Sequence, residues 1–282
     1  MCAYHGSPMR ERPRVKICGV TDVEDARLAT ELGAWAIGLI FYPLSPRRCE
    51  IDAAVAIGRA LRRRAEVCGV FVNAPLDDVS TTADAVGLTM VQLHGEEGPS
   101  FCDEVARRTG ARVMKAVRVR SPADIQAVQV FRRVGFHLLD AHADGVPGGT
   151  GQTFDWALLA KRRSRVPLVL SGGLTAENVG EAIERVGPWG VDVASGVEAR
   201  PGRKDPVKLE AFFAAVEEAG REAVASGGAG APATTEEPGR EAVASGGAGA
   251  PGAMEEAGGK AAASQGAGAP GVAARPATKA PA

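Results

Sequence analysis

No stretch of the 282 residues stays apolar for the roughly 18–20 positions that a membrane-spanning helix needs. Neither sign of charge is in excess. The 33 Lys and Arg stand against 34 Asp and Glu, whereas a nucleic-acid binder usually carries a basic surplus. The five cysteines (Cys2, Cys18, Cys49, Cys68, Cys102) contain no C-x-x-C pair, which excludes a dense disulfide framework and a zinc-finger array. A reducing, cytoplasmic setting is therefore expected. The four histidines (His5, His94, His137, His142) show no paired ligand spacing, which argues against a metal site. The opening MCAYHGSPMRERP has no apolar h-region, so no secretory signal is expected, and Met9 is a second candidate start. What is present is enough apolar material, 45% of the residues, to build one large domain or two small ones.

That material is unevenly spread. From 217 to 282 the chain holds no aromatic residue, and 42 of those 66 residues are Ala, Gly or Pro. GREAVASGGAGAP occurs at 220–232 and again at 239–251, with a degraded copy, GGKAAASQGAGAP, at 258–270. Repeats can stack into solenoids, but only when they carry large apolar side chains. These offer alanine and an occasional valine, too little burial to offset about 1–2 kcal/mol of backbone entropy per residue. Residues 217–282 therefore read as a disordered, low-complexity tail whose partner the residues do not identify. Residues 1–13 read as a flexible extension.

Between them, 14–216 alternates. Apolar runs at 15–18, 35–41, 67–72, 90–93, 112–117, 136–139, 166–170 and 190–194 have the look of strands buried on both faces. Helix-like stretches fall at 22–32, 52–63, 76–86, 99–109, 122–132, 154–162, 175–186 and 205–216. Thr21, Asp52 and Thr175 sit where helix caps belong, and Pro99 and Pro122 sit near helix starts. Eight strand–helix units in about 200 residues predict an α/β fold of the (β/α)8 TIM-barrel type. An open doubly wound sheet is the alternative. It would not need eight units, and no G-x-G-x-x-G follows the first strand.

A barrel puts its chemistry just after the strand ends, and the polar residues lie there: Cys18, Arg47 with Arg48, Asn73, Gln92 with His94, Asp140, the glycine loop 148–151, Gly172–Gly173, and Ser195–Gly196. Glycines after strands seven and eight let backbone N–H groups converge on an anion. Either loop alone is an ordinary turn, but the two together point to a phosphate. Cys18 is either a small buried hydrophobe or, beside a cation, a thiolate base or nucleophile. Asp140 either presents a carboxylate at the mouth or caps a loop. His94 either binds substrate or orders its loop. Arg47 is either a fork for a carboxylate or a solvated loop residue.

The segments VKICGVTDVEDA, GLIFYPLSPR, GVFVN, VQLHGEE, LLDA, GGTGQTFDW, LSGGLTAENV and VDVASGVEARPGRKD occur in this order across 14–216. Together they resemble the phosphoribosylanthranilate isomerase family of tryptophan biosynthesis. The resemblance implies an Amadori rearrangement of N-(5-phospho-β-D-ribosyl)anthranilate to 1-(2-carboxyphenylamino)-1-deoxy-D-ribulose 5-phosphate, with no cofactor and no metal. It implies Cys18 as general base and Asp140 as general acid. Arg47, or its neighbour Arg48, would hold the anthranilate carboxylate. Gly172, Gly173, Ser195 and Gly196 would bind the phosphate, with Gln92 and His94 close to the substrate. The implied partner is this small phosphoribosyl molecule, not a nucleic acid or a membrane. A related phosphosugar isomerase of histidine biosynthesis, or a dual-substrate barrel, would carry aspartate in place of Cys18. A non-catalytic phosphate-binding protein would have no need to keep both Cys18 and Asp140.

Overall fold

The computed structural model describes residues 12–141, 156, 159 and 162–225. Its elements run β1 (Arg14–Cys18), α1 (Val23–Glu31), β2 (Ala36–Ile40), α2 (Ile51–Ala60), β3 (Glu66–Phe71), α3 (Leu76–Val86), β4 (Met90–Leu93), α4 (Pro99–Thr109), β5 (Arg112–Arg118), α5 (Pro122–Val128) and β6 (Phe136–Asp140). They continue with β7 (Leu168–Ser171), α6 (Val179–Val186), β8 (Gly190–Val193), a 3-10 turn (Ser195–Val197), β9 (Glu198–Arg200), β10 (Arg203–Lys204) and α7 (Pro206–Ala225). Strands β1 to β8 pair in sequence order, all parallel, and β8 closes onto β1, with Arg14 opposite Gly190 and Ile17 opposite Val193. This is the closed (β/α)8 barrel and not the open sheet. Among the described residues, no helix is long and apolar enough to cross a membrane.

Two apolar layers hold it together. Outward-facing strand residues such as Ile17, Ile37, Leu39, Val91 and Leu139 meet the helices in one continuous core. Inward-facing Cys68, Met90, Met114, Ala116, Phe136, Leu138 and Val169 fill the barrel itself. The period-2 alternation of a strand produces both layers from one apolar run.

Differences from the sequence reading have local causes. β7 begins at Leu168 and not at 166, because Pro167 has no N–H to give the ladder. α5 stops at Val128: the N–H groups of Gln129 and Phe131 bond three residues back, at 3.1 and 3.2 Å, and tighten the chain out of α geometry. α6 begins at Val179, because Asn178 takes the cap position and its Oδ1 accepts from Thr175 N at 2.8 Å. α1 is capped by Asp22, which accepts from the N–H groups of Glu24 and Asp25, while Thr21 donates to Gly202 O at 2.6 Å. α2 starts at Ile51 after Glu50, one residue before the predicted opening at Asp52. Pro99 and Pro122 do open α4 and α5, the latter inside a Ser121–Asp124 capping box. The short hairpin β9–β10 lies between the predicted strand 190–194 and the predicted helix 205–216, where no element is predicted. α7 continues nine residues beyond 216, and Ala219 and Gly220 on it are buried. His142, the loop 148–151 and most of the predicted helix 154–162 lie outside the described residues, although Trp156 and Leu159 are both buried.

Candidate active site

Each predicted residue that is described lies at the C-terminal end of its strand, hence at one mouth of the barrel. Cys18 ends β1 and is buried, while Asp140 ends β6 and is half-buried. β6 and β1 are separated by β7 and β8 around the closed sheet. Three strand steps of about 4.8 Å each leave room between them for one sugar ring.

Gln92 and His94 come up from β4. Gln92 is buried, and its Nε2 lies 3.3 Å from His94 Nδ1. With that ring nitrogen accepting, the other carries the proton, and His94 Nε2 faces Asp140 Oδ2 at 3.7 Å. Burial lowers the His94 pKa, only partly opposed by the carboxylates of Asp140 and Asp192. Around neutral pH the ring is thus an uncharged donor. The Oε1 of Gln92 is buried with no hydrogen-bond partner among the described residues.

The loop that carries His94 is organised from behind. Glu97 accepts from the backbone N–H of Asn73 and Gly95 at 2.8 and 2.9 Å, and from Lys115 Nζ at 2.8 Å. Burial would raise the Glu97 pKa, but these donors bring it below its ordinary value. Asn73, in the left-handed region at φ 51°, accepts from Glu96 N at 2.7 Å, so its contacts are to this loop.

Arg47 follows β2 and lies against Gly19, directly after Cys18. Its guanidinium is forked onto Glu198: Nε donates to Oε1 and Oε2 at 2.9 and 3.0 Å, and Nη2 to Oε2 at 2.8 Å. Lys204 Nζ completes the clamp, donating to Glu198 Oε1 at 3.1 Å, to Cys18 O at 2.6 Å and to Ala194 O at 3.1 Å. Burial would raise the Glu198 pKa, but the two cations outweigh it and the carboxylate is stabilised. Hairpin β9–β10 exists to bring Glu198 and Lys204 to this place. Arg48 is by contrast half exposed and 3.7 Å from Glu50.

The glycine loops after β7 and β8 are pressed together. Gly172 and Gly173 have φ of 107° and 63°, a region side chains disfavour, and a Cβ on Gly196 would lie 1.9 Å from Leu174 O. Gly173, Thr175, Ser195, Gly196 and Lys208 line a cleft of about 410 Å3. The third glycine loop, 148–151, lies outside the described residues.

Sequence reasoning missed the charges beneath this surface: Lys16, Asp192, Glu198 and Lys204 are all buried. A signal existed for the first two, since Lys16 interrupts VKIC and Asp192 interrupts GVDVA at inward-facing positions. None existed for the 151-residue separation of Arg47 and Glu198.

A sheet closed on itself, with a thiol, a carboxylate and two glycine loops all delivered to the same rim, defines a barrel enzyme acting on a small molecule at its C-terminal mouth. Comparison with known proteins gives the particular enzyme. Residues 15–215 match the family model "N-(5'phosphoribosyl)anthranilate (PRA) isomerase". The isomerase of Pelobacter propionicus is 47% identical over 205 residues, covering 73% of this chain and 96% of that protein, and that of Citrifermentans bemidjiense is 49% identical over 203, covering 71% and 95%. The crystal structure of the Thermotoga maritima isomerase superposes with a TM-score of 0.68 at 42% identity, covering 73% of this chain and 99% of that one. A further isomerase structure, 40% identical with a TM-score of 0.65, is a complex with reduced 1-(o-carboxyphenylamino)-1-deoxyribulose 5-phosphate. The chain belongs to the phosphoribosylanthranilate isomerase family, and its activity is that isomerisation, in tryptophan biosynthesis.

Proposed function

We propose that the isomerisation runs between Asp140 and Cys18 as acid and base, on a substrate held by its phosphate at one side of the mouth and by its carboxylate at the other. The observation that carries this reading is the pair itself: a carboxyl and a thiol at the ends of β6 and β1, facing each other over the interior. Protonated Asp140 gives its proton to the ribose ring oxygen. The C1–O bond breaks, and the anthranilate nitrogen lone pair forms the C1=N bond of an iminium. That positive charge acidifies the C2–H. Cys18 as thiolate removes the C2 proton, its electron pair forming C1=C2 of an enolamine, which tautomerises to the ketose. Each positioned proton transfer is worth about 10²–10⁴-fold.

The remaining residues position. Backbone N–H groups of Gly172, Gly173, Ser195 and Gly196 suit the phosphate, and the cleft beside them carries the Lys208 cation. Phosphate binding energy is spent away from the reacting bonds, on orienting the sugar. Arg47 is better suited than Arg48 to the anthranilate carboxylate, because the Glu198 clamp fixes its guanidinium at the mouth, whereas Arg48 is half exposed beside Glu50. His94 would orient Asp140, and the unpartnered Oε1 of Gln92 can accept from a sugar hydroxyl. The relative crystallised with the reduced ribulose phosphate supports the same ligand class here.

The test follows the fluorescence of freshly made phosphoribosylanthranilate. Wild type should extinguish it, whereas Cys18→Ala and Asp140→Asn should each lose about two orders of magnitude or more in kcat with little change in KM. Near-wild-type turnover of either variant removes that residue from its role.

A further inference from the structure

Two charges in the barrel interior are not used by the proton transfers. Alternation along β1 points Lys16 and Cys18 inward while Ile17 points out to the helices. Lys16 is fully buried, and its Nζ lies 2.7 Å from Asp192 Oδ1 on β8. Ser171 Oγ donates to the second carboxylate oxygen at 3.1 Å. Removing two ions from water is costly, and apolar residues of equal volume commonly serve stability as well. The barrel lower down is filled that way, by Met90, Met114 and Phe136. A Lys–Asp pair in this layer calls for another reason.

The space around the pair supplies it. Gly38 on β2 is opposite Cys18 in register. A Cβ there would lie 2.9 Å from Cys18 Sγ and 3.0 Å from Lys16 Nζ, so thiol and ammonium border the same small volume, which β2 keeps open by having no side chain. We infer that Lys16 is a positioning residue for the base: its ammonium, fixed by Asp192, is the buried counter-charge against which Cys18 carries its negative charge. The inference rests on the reading of Cys18 as the base.

The signs follow from the charges around the thiol. Burial raises the Cys18 pKa, the Lys16 charge opposes this, Asp192 adds to the rise, and Lys204 opposes it from β10. Arg47 lies over Gly19 at the next position, Cys68 faces Lys16 from β3, and His94 and Asp140 stand beyond, at the ends of β4 and β6. Lys16 itself is held protonated, because Asp192 and the two thiols outweigh its burial. Losing the Lys16 charge must therefore move Cys18 titration up, and losing the Asp192 charge must move it down. A pair that acted only by filling space would give no such opposition.

The experiment measures the rate of iodoacetamide alkylation at Cys18 against pH, by peptide mass spectrometry on the full chain. The proteins are wild type, Lys16→Met, Asp192→Asn and the double variant. Asp192→Asn should have a lower midpoint than wild type. The double variant should lie about one pH unit or more above Asp192→Asn, the size expected for one close charge. That comparison isolates Lys16 at constant residue 192 and does not depend on whether Lys16→Met, which leaves a lone buried carboxylate, folds. The acid limb of the kcat/KM profile should move with the midpoints. Coincident midpoints for Asp192→Asn and the double variant, alongside an inactive Cys18→Ala, overturn the part given to Lys16 alone. Full activity of Cys18→Ala overturns the base reading and the purpose of the pair with it.

Discussion

At the foot of the barrel Trp35, Phe136 and Trp189 meet with ring centroids 4.8–5.1 Å apart, and the Arg112 guanidinium lies 5.3 Å from the Phe136 ring. At the mouth β1, β6 and β7 end in Cys18, Asp140 and Ser171, above Lys16–Asp192 and beside Arg47–Glu198–Lys204. Aromatic edge contacts contribute about 0.5–1.5 kcal/mol each beyond the area they bury, whereas buried ions must first recover their desolvation. The foot is thus built from interactions that stabilise outright. The mouth is built from interactions that hold charges in place at little net gain. Polar departures exist at both ends, with different consequences. Trp35 Nε1 is buried without a partner among the described residues and faces aromatic rings, while Gln92 Oε1 is equally unpartnered but sits at the mouth, on the side chain that contacts His94.

The contrast breaks first, if it is wrong, at the acid–base pair. The Cys18→Ala, Asp140→Asn double variant should be far less impaired than the product of the two single losses of about 10²–10⁴, because members of one catalytic unit are not additive. Its melting temperature should stay close to wild type. Multiplicative losses in kcat, or a collapse of Tm, would mean that the mouth contributes stability or that the two groups act separately.

The converse variant is at the foot. Phe136→Ala removes the ring that touches both tryptophans, at a cost of about 3–5 kcal/mol, or roughly 10 °C in Tm for a domain of this size. The protein that remains folded should keep near-wild-type kcat/KM. Loss of activity at temperatures where the variant is still folded would show the two ends to be coupled.

Between the ends, on the outer side of β6, His137 sharpens the comparison through pH. Arg162 donates to its Nδ1, so Nε2 carries the proton and donates to Phe131 O at 2.8 Å. Burial, with Arg162 adding to it, lowers its pKa from 6.5 to about 4, against the pull of the Phe131 carbonyl. Between pH 6.5 and about 4 a histidine so depressed is neutral in the fold and protonated in the unfolded chain. Its contribution is therefore complete above pH 6.5 and falls away as pH drops toward 4, by about 3 kcal/mol. Urea titrations across that window should show this slope in wild type and lose it in His137→Gln. An unchanged slope would assign the acid sensitivity to other groups.

How much of this could be read from the sequence follows the range of the interactions. Strands β1 to β6 and β8 were legible within one residue and β7 within two, because an apolar run between helical stretches is a local signal. The mouth was legible because a barrel turns "just after the strand" into a place in space, and Cys18, Asp140, Gln92 and His94 all lie there. What could not be read was pairing. Glu198 and Lys204 appear as two charges in a loop until the hairpin turns them onto Arg47 and Cys18, and nothing near Lys16 in the chain identifies Asp192 as its partner. The end of α7 was misplaced for a related reason. Alanine-rich sequence offers no apolar stripe, and the neighbours of Ala219 and Gly220 are distant in the chain: Gly180 on α6 for the first, Arg12 and Pro13 for the second.

That terminus sets the smallest expected effect. Arg12 pairs with Glu217, and a Cβ on Gly220 would lie 3.2 Å from Arg12 Cγ and 3.7 Å from Pro13 Cδ, so α7 packs up to Gly220 on the two residues that lead into β1. Three truncations should therefore rank. Ending at Val216 removes Glu217, Ala219 and Gly220 and should lower Tm measurably. Ending at Gly220 removes Arg221–Ala225, the last turn of α7, including an exposed Arg221–Glu217 pair, and should cost little. Ending at Ala225 should change neither Tm nor kcat/KM, because residues 226–282 carry no aromatic and no large apolar stripe that could bury area at about 25 cal/mol per Å2. Calorimetry and the fluorescence assay on the three proteins decide the order. If the Ala225 truncation alone melts several degrees lower or loses turnover, the repeats pack on the barrel, and the boundary proposed between an isomerase domain and an independent tail is wrong.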